Sequence, residues 1–289
     1  MKTAAIILNY NSALLTTRLV NSILLEKCVD DIVIVDNCST DNSLNELREK
    51  VGANCSIIAN KENKGYAAGN NIGCKYAITE IGSDILFIAN PDVVFHSKYV
   101  EYVKEAFEHY PSLAAVTGLM KYPDGKEDKR QYLLFPTYWE DVFNCFALGR
   151  KYNKMKLDQR IKVDKEKDIN FVPAIPGSLF AVRASMMKEI EYFDENTFLY
   201  YEENILGKKI KDAGYKVGLL TNVDYLHDHS ATINKNVNYQ SKRRIVNKSI
   251  LYYERQYNKT RGAKLIVLRI ALKFSMIDAF VIGKLRSRS

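Results

Sequence analysis

Continuous apolar runs mark the early part of the chain at residues 4–8 (AAIIL), 32–35 (IVIV), 56–59 (SIIA) and 85–89 (ILFIA). None alternates with polar residues, so each reads as a strand covered on both faces, as in a parallel sheet. Between them the apolar period lengthens. Leu15, Leu19 and Ile23 fall four apart, behind a Ser12 placed to cap a helix. Asp41 is placed to cap a second helix with Leu44, Leu47 and Val51 on one face, and residues 65–78 read as a third after a glycine-rich lead-in. Strands alternating with helices over short connections predict right-handed crossovers and an α/β fold. The ligand of such a sheet sits beyond the carboxyl ends of its strands.

Those ends are polar every time: Asn9-Tyr10-Asn11, then Asp36-Asn37, then residues 60–65 (NKENKG), then Asn90-Pro91-Asp92. Asn, Asp and Gly are ordinary turn residues. Four such loops in succession on one sheet edge point instead to a nucleotide site. The ligand is narrowed by what the chain lacks: no GxGxxG follows the first strand, and there is neither a GxxxxGK[ST] loop nor a GxSxG elbow. Without a glycine-rich phosphate cradle, a pyrophosphate needs another neutraliser. A divalent cation held by Asp92, Mg²⁺ or Mn²⁺, would serve, because these ions bind through one or two carboxylates plus substrate phosphates.

Composition refines this picture. The 289 residues are 47% hydrophobic, enough for one large domain or a domain with an appendage. The five cysteines form no CxxC pair, which fits a reducing compartment. The N-terminal apolar run is too short for a signal peptide core, about five residues against roughly 7–15, and reads as the first strand. Charge is uneven. Residues 242–289 carry 13 Lys/Arg against 2 Asp/Glu, while the rest carries 29 against 32. A mildly acidic body with a basic tail implies a local anionic partner and gives nucleic-acid binding little support.

The strings AAIILNYNSALLTTRLVNSI, VIVDNCSTDNS, NKGYAAGNNIG and ILFIANPDVVF together resemble the nucleotide-binding half of inverting glycosyltransferases of family 2, which have the GT-A fold. The resemblance continues through PAIPGSLFAVRASMM, FDENTFLYYEENILGKKIKDAGYKV and LHDHSAT, covers roughly residues 3–235, and leans to the bacterial rhamnosyltransferase-like branch. It implies a catalytic domain over residues 1–240, with a nucleotide half (1–95) and an acceptor half (96–240), followed by a helical extension at 241–289. It also implies that the Asn9-Tyr10-Asn11 turn lies against the nucleotide and that Asp36 accepts from the pyrimidine N–H with Asn37 beside it. Gly65, Gly69 and Asn70 would let backbone pass close to base and ribose. Asn90-Pro91-Asp92 stands where the family has DxD: Asp92 matches the metal-binding Asp, and Asn90 brings no charge. His227 matches a histidine that reaches the metal or diphosphate, with His229 as the neighbouring alternative.

An inverting transfer needs one general base for the acceptor hydroxyl. Leu206, Ile210 and Ala213 follow helical spacing, which places Glu202 and Glu203 at a helix start, where the dipole favours a carboxylate and mutual repulsion raises one pKa. The family usually has Glu-Asp here. By position Glu203 is the base, with Glu202 in reserve; two acids stabilising a helix start is the plain alternative. Pro176-Gly177 would bring backbone near the sugar, and Arg183 reads as structural. Residues 150–168, with twelve charges in nineteen positions, read as a solvated loop or short helix.

The stretch 265–283 is mostly apolar but broken by Arg269, Lys273 and Asp278. Charges at bilayer depth are costly, so it reads as a helix in the membrane interface or one packed on protein, including a second subunit in a homodimer. The expected whole is a cytoplasmic enzyme at the inner face of the plasma membrane. It would move a sugar, rhamnose from dTDP-rhamnose by the branch resemblance, to a lipid-linked saccharide for capsule or cell-wall polysaccharide. A UDP-sugar donor (GlcNAc, Gal or Glc), a nucleotidyltransferase and a non-catalytic membrane-associated subunit are the alternatives.

Overall fold

The computed structural model describes residues 1–228 and 239–286. The four apolar runs form β1 (Thr3–Asn9), β2 (Asp31–Asp36), β3 (Ser56–Ala59) and β4 (Ile85–Ala89), ordered β3-β2-β1-β4 and parallel throughout. The helices between them are α1 (Ala13–Glu26), α2 (Ser43–Val51) and α3 (Tyr66–Tyr76), the last extended by a π-helical turn over Ala77–Ile81. Successive strand residues point to opposite faces. Ala5, Ile7, Ile34 and Phe87 therefore pack with Leu19, Ile23 and Leu47 of α1 and α2, whereas Ala4, Ile6, Val33 and Leu86 pack with Ala67 and Cys74 of α3. Both faces are covered, which is why these strands carry no polar alternation.

The expected caps differ in detail. Ser12 precedes α1, but its hydroxyl donates to the Tyr10 carbonyl at 3.1 Å and caps nothing. Asn42, not Asp41, is the N-cap residue of α2; Asp41 accepts from the Ser43 amide at 2.9 Å. Ser12 thus serves the loop before its helix, whereas Asp41 takes up the first amide of α2 from one residue further out.

The second half adds β5 (Val93–Val94), α4 (Ser97–His109), β6 (Leu113–Lys121), α5 (Tyr138–Asn144), α6 (Ala147–Arg160), β7 (Ile169–Val172), β8 (Leu179–Arg183), α7 (Ala184–Glu189), α8 (Glu202–Asp212) and β9 (Lys216–His227). The sheet continues β4-β8-β6-β9-β5, with β7 also on β9. Here β8 runs antiparallel to β4 and β6, and β9 antiparallel to β5 and β7. The charged stretch at 150–168 contributes most of α6 and then a coil.

Two helices end the chain, α9 (Tyr239–Gln256) and α10 (Gly262–Arg286). Ile250, Leu268, Ala271 and Leu272 bury against Val142 and Cys145 of the α5 region. Asn247 Nδ2 donates to the Leu272 carbonyl at 3.1 Å and to Ser275 Oγ at 2.6 Å. Ser249 Oγ reaches the Leu199 carbonyl at 2.9 Å, close to the start of α8. Tyr252 and Tyr257 both donate to Asp194 Oδ2 at 2.6 Å.

Candidate active site

The loops after β1 and β2 are clamped by side chains. Asn9, fully buried, donates from Nδ2 to Asp36 Oδ1 at 2.9 Å and accepts at Oδ1 from Thr16 Oγ1 at 2.8 Å. Asp36 also accepts from the Ser39 amide at 3.0 Å and from Ser39 Oγ at 2.6 Å. A ring N–H arriving at Asp36 would thus share oxygens that the protein already engages. Asn11, in the left-handed region at φ 52°, closes the corner by bonds of 3.0 and 2.8 Å to Thr40. Tyr10, between the two asparagines, is 44% exposed.

Asn37 ties in the third loop. Its Nδ2 donates to Asn63 Oδ1 at 3.0 Å and to the Gly65 carbonyl at 3.3 Å, and its Oδ1 accepts from Asn60 at 3.0 Å. Gly65 needs to be glycine: its φ is 97°, and a Cβ there would lie 2.0 Å from the Phe198 carbonyl oxygen. Gly69 lets α3 close onto β1, since a Cβ would meet Leu8 at 2.4 Å. Asn70 is buried and donates to the Tyr66 carbonyl at 3.0 Å.

The antiparallel insertion of β8 completes the edge. The Asn90 amide donates to the Ser178 carbonyl at 2.8 Å, joining the Asn90-Pro91-Asp92 turn to the Pro176-Gly177-Ser178 step. Val93 pairs with His227 across β5 and β9, and this register sets His227 Nε2 3.3 Å from Asp92 Oδ1. Both side chains are buried, and the Asp228 amide donates to the Asp92 carbonyl at 3.0 Å. His229 lies outside the described residues.

Glu202 and Glu203 open α8 behind an unusual bend: Tyr200 and Tyr201 both sit at φ 73°. Two successive left-handed residues with side chains cost on the order of 1–3 kcal/mol each and persist only where surroundings impose them. Here the Tyr201 hydroxyl donates to Asp141 of α5, and its ring lies 5.1 Å from that of Tyr253 in α9, centroid to centroid. Asp141 is fully buried, and that burial pushes its carboxyl well above the usual range. The bend aims Glu203 at the Gly177 amide, which donates to its Oε1 at 3.3 Å; Tyr66 donates to the Gly177 carbonyl at 2.7 Å. Burial raises the pKa of both glutamates, and the charge of Glu203 raises that of Glu202 further. A carboxyl whose pKa is raised is suited to accept a proton near neutrality.

Arg183 stands at the other end of β8, donating to the Leu113 carbonyl at 2.9 Å with its guanidinium over the Phe107 ring; it is structural. The sequence pattern assigns no role to Ser39, in the polar loop after β2, or to Tyr66, the first residue of α3 after the glycine-rich lead-in. It also missed Asp141, for which the sequence holds no signal.

This sheet, parallel through β4 and then crossed by an antiparallel strand that carries part of the site, is the GT-A arrangement. Residues 4–175 match the sequence profile of Glycosyl transferase family 2, and the chain belongs to that family. It is 24% identical over 208 residues to the low-salt glycan biosynthesis hexosyltransferase Agl10 of Haloferax volcanii, a match covering 69% of this chain and 59% of that protein. It is 22% identical over 210 residues to the N-acetylglucosaminyl-diphospho-decaprenol L-rhamnosyltransferase of Mycobacterium tuberculosis, covering 68% of this chain and 66% of that one. The match thus spans less than two thirds of each relative's length. Among solved structures, the Pyrobaculum calidifontis mannosyltransferase PcManGT in complex with GDP-Man and Mn²⁺ superposes with a TM-score of 0.59 at 16% identity, covering 97% of this chain and 73% of that one. GalNAc-T7 with UDP, GalNAc and Mn²⁺ gives 0.60 at 14% identity, covering 94% of this chain and 54% of that one.

Proposed function

We propose that this chain is an inverting glycosyltransferase that moves a sugar from a nucleoside-diphosphate donor to a lipid-linked saccharide. One observation carries the reading: a single sheet edge gathers the Asn9–Asp36–Asn37 corner, the Asp92–His227 pair and the Glu203–Gly177 contact. The relatives, a hexosyltransferase of glycan biosynthesis and a rhamnosyltransferase named for a diphospho-decaprenol, support a lipid-linked acceptor. The donor follows the second of them, with rhamnose from dTDP-rhamnose first and a UDP-sugar next.

Asp92 and His227 fit a divalent cation. A carboxylate oxygen and an imidazole nitrogen lie side by side in a buried position reached from two strands. Among the described residues no group of three or more His, Cys, Asp or Glu side chains gathers to hold an ion. The pair would therefore share Mg²⁺ or Mn²⁺ with donor phosphate oxygens. Such an ion supplies charge stabilisation for the departing diphosphate.

The protein's own part is to position and deprotonate. The corner of Asn9, Asn11, Asp36 and Asn37 holds the nucleoside. Glu203, braced by the Gly177 amide, takes the acceptor hydroxyl proton as that oxygen forms its bond to the anomeric carbon. The bond from that carbon to the diphosphate oxygen breaks, and the nucleoside diphosphate leaves with the electron pair. With a lipid-linked acceptor, the work is done at the cytoplasmic face of the membrane.

The test is thermal stability against dTDP, UDP and GDP, each with and without Mn²⁺ or Mg²⁺. A ligand bound only by the folded state at a hundred times its Kd adds about 2.7 kcal/mol. The expected result is a cation-dependent rise with one of these nucleotides that Asp92→Ala loses. No rise with any nucleoside diphosphate overturns the proposal.

A further inference from the structure

The last helix, α10, buries one side and leaves an apolar stripe on the other. Leu268, Ala271, Leu272, Ser275 and Ala279 face the protein. At about a hundred degrees per residue they cluster on one side of the helix. On the opposite side Ile266, Val267, Ile270, Phe274, Ile277 and Val281 are each between 44% and 60% exposed. Scattered exposed apolar residues are ordinary, but six in register along one helix are not. Among the described residues no helix is long and apolar enough to cross a membrane, so the stripe is not a span.

Charge indicates what covers it. Arg269 and Lys273 are exposed and border the stripe, and Arg244, Lys248, Arg255 and Lys264 are exposed elsewhere on the helix pair, with Lys259 and Arg261 exposed in the connection between them. The two acids of residues 242–289 are both engaged inward: Glu254 is fully buried, and Asp278 pairs with Arg150 of α6 at 2.7 Å. The outer surface of this helix pair is therefore cationic around an apolar centre. A second copy of the chain would oppose like charges across such a contact. An anionic bilayer surface complements both features, taking the apolar stripe into its acyl boundary and the Lys/Arg at its headgroups.

We propose that α10 docks the protein on an anionic lipid bilayer, lying in the interface with Ile266, Ile270, Phe274 and Ile277 inserted. This rests on the lipid-linked acceptor of the reading above and deepens it. Because α10 packs on α9 and α5, and these hold Tyr201 before α8, docking fixes the start of α8, with Glu202 and Glu203, relative to the membrane.

The test is co-sedimentation of the full chain with vesicles of phosphatidylcholine alone and of phosphatidylcholine mixed with phosphatidylglycerol. The expected result is binding to the anionic vesicles that weakens with salt. Ile270→Ser, Phe274→Ser and Ile277→Ser combined should abolish it, and Arg269→Glu with Lys273→Glu should lower affinity by about tenfold or more. These residues are exposed, so the variants should keep wild-type circular dichroism. Binding that the triple variant retains, or no binding to anionic vesicles, overturns the proposal. A wild-type dimer that the triple variant splits, with no vesicle binding, assigns the stripe to a second copy instead and likewise overturns it. Cation-dependent nucleotide binding, measured without vesicles, is unaffected by either outcome, so failure here is distinct from failure of the catalytic reading.

Discussion

Replacing Glu203 by Gln should make the protein more stable and much less active. Glu202 and Glu203 are adjacent and largely withdrawn from water, and both carry raised pKa values. A carboxyl whose pKa is higher in the folded chain keeps a proton that the unfolded chain has released. The folded state then loses stability as pH rises from the unfolded value, about 4.3 for glutamate, up to the folded value, and the loss is constant above that. Every tenfold by which folding tightens the carboxyl's hold on its proton costs about 1.4 kcal/mol once both states are ionised. An uncharged amide escapes this cost. At neutral or mildly alkaline pH, Glu203→Gln should therefore recover about 1.4 kcal/mol for each such tenfold, or about 3–5 °C in Tm for a chain of this size. The advantage should shrink to nothing near the unfolded pKa. Turnover should fall by about 10²–10⁴, the usual contribution of a general base. The assay is a set of thermal melts across the pH range, paired with donor turnover. Glu202→Gln run alongside identifies the base, since it should share the stabilisation and keep more of the activity. A Tm difference that does not change with pH would refute the electrostatic reasoning, and undiminished turnover in both variants would refute the catalytic one.

Two further outcomes follow from particular contacts. Gly65→Ala sets a methyl 2.0 Å from the Phe198 carbonyl oxygen at a φ of 97°, so it should cost at least about 1–3 kcal/mol in urea unfolding and weaken nucleotide binding as the third loop shifts. Tyr201→Phe removes the hydroxyl that donates to buried Asp141, which should cost about 1–3 kcal/mol in stability. The same change should lower kcat more than the donor KM, because the bend before Glu202 and Glu203 loosens while the nucleoside corner is untouched.

Local pattern was enough to place the first four strands of the sheet. Unbroken apolar runs and four-residue helical spacing mark β1 to β4 and the helices between them, since a strand buried on both faces has no polar position to spare. The polar strand ends at Asn9, Asp36, Asn63 and Asn90 are legible for the same reason: the apolar pattern stops where the sheet meets solvent and ligand. The start of α8 at Glu202 is legible as well, from helical spacing and paired acids.

What only the tertiary structure decided are contacts between segments far apart in the chain. The His227–Asp92 pair depends on the β5–β9 register, and the Glu203–Gly177 contact on an antiparallel β8 inserted beside β4. No local propensity encodes which strand a short apolar segment will choose as its neighbour. Asp141 shows the limit most plainly. In sequence it is one of two adjacent acids among aromatic residues, in YWEDVF, yet folding buries it under Tyr201 and beside α9, where it supports the bend that precedes α8. Sequence composition likewise showed that the tail was basic and partly apolar. Which side of α10 is buried, and which is left exposed, was settled by the packing of α5 and α9 against it, because burial is a property of the assembled surface and not of the helix alone.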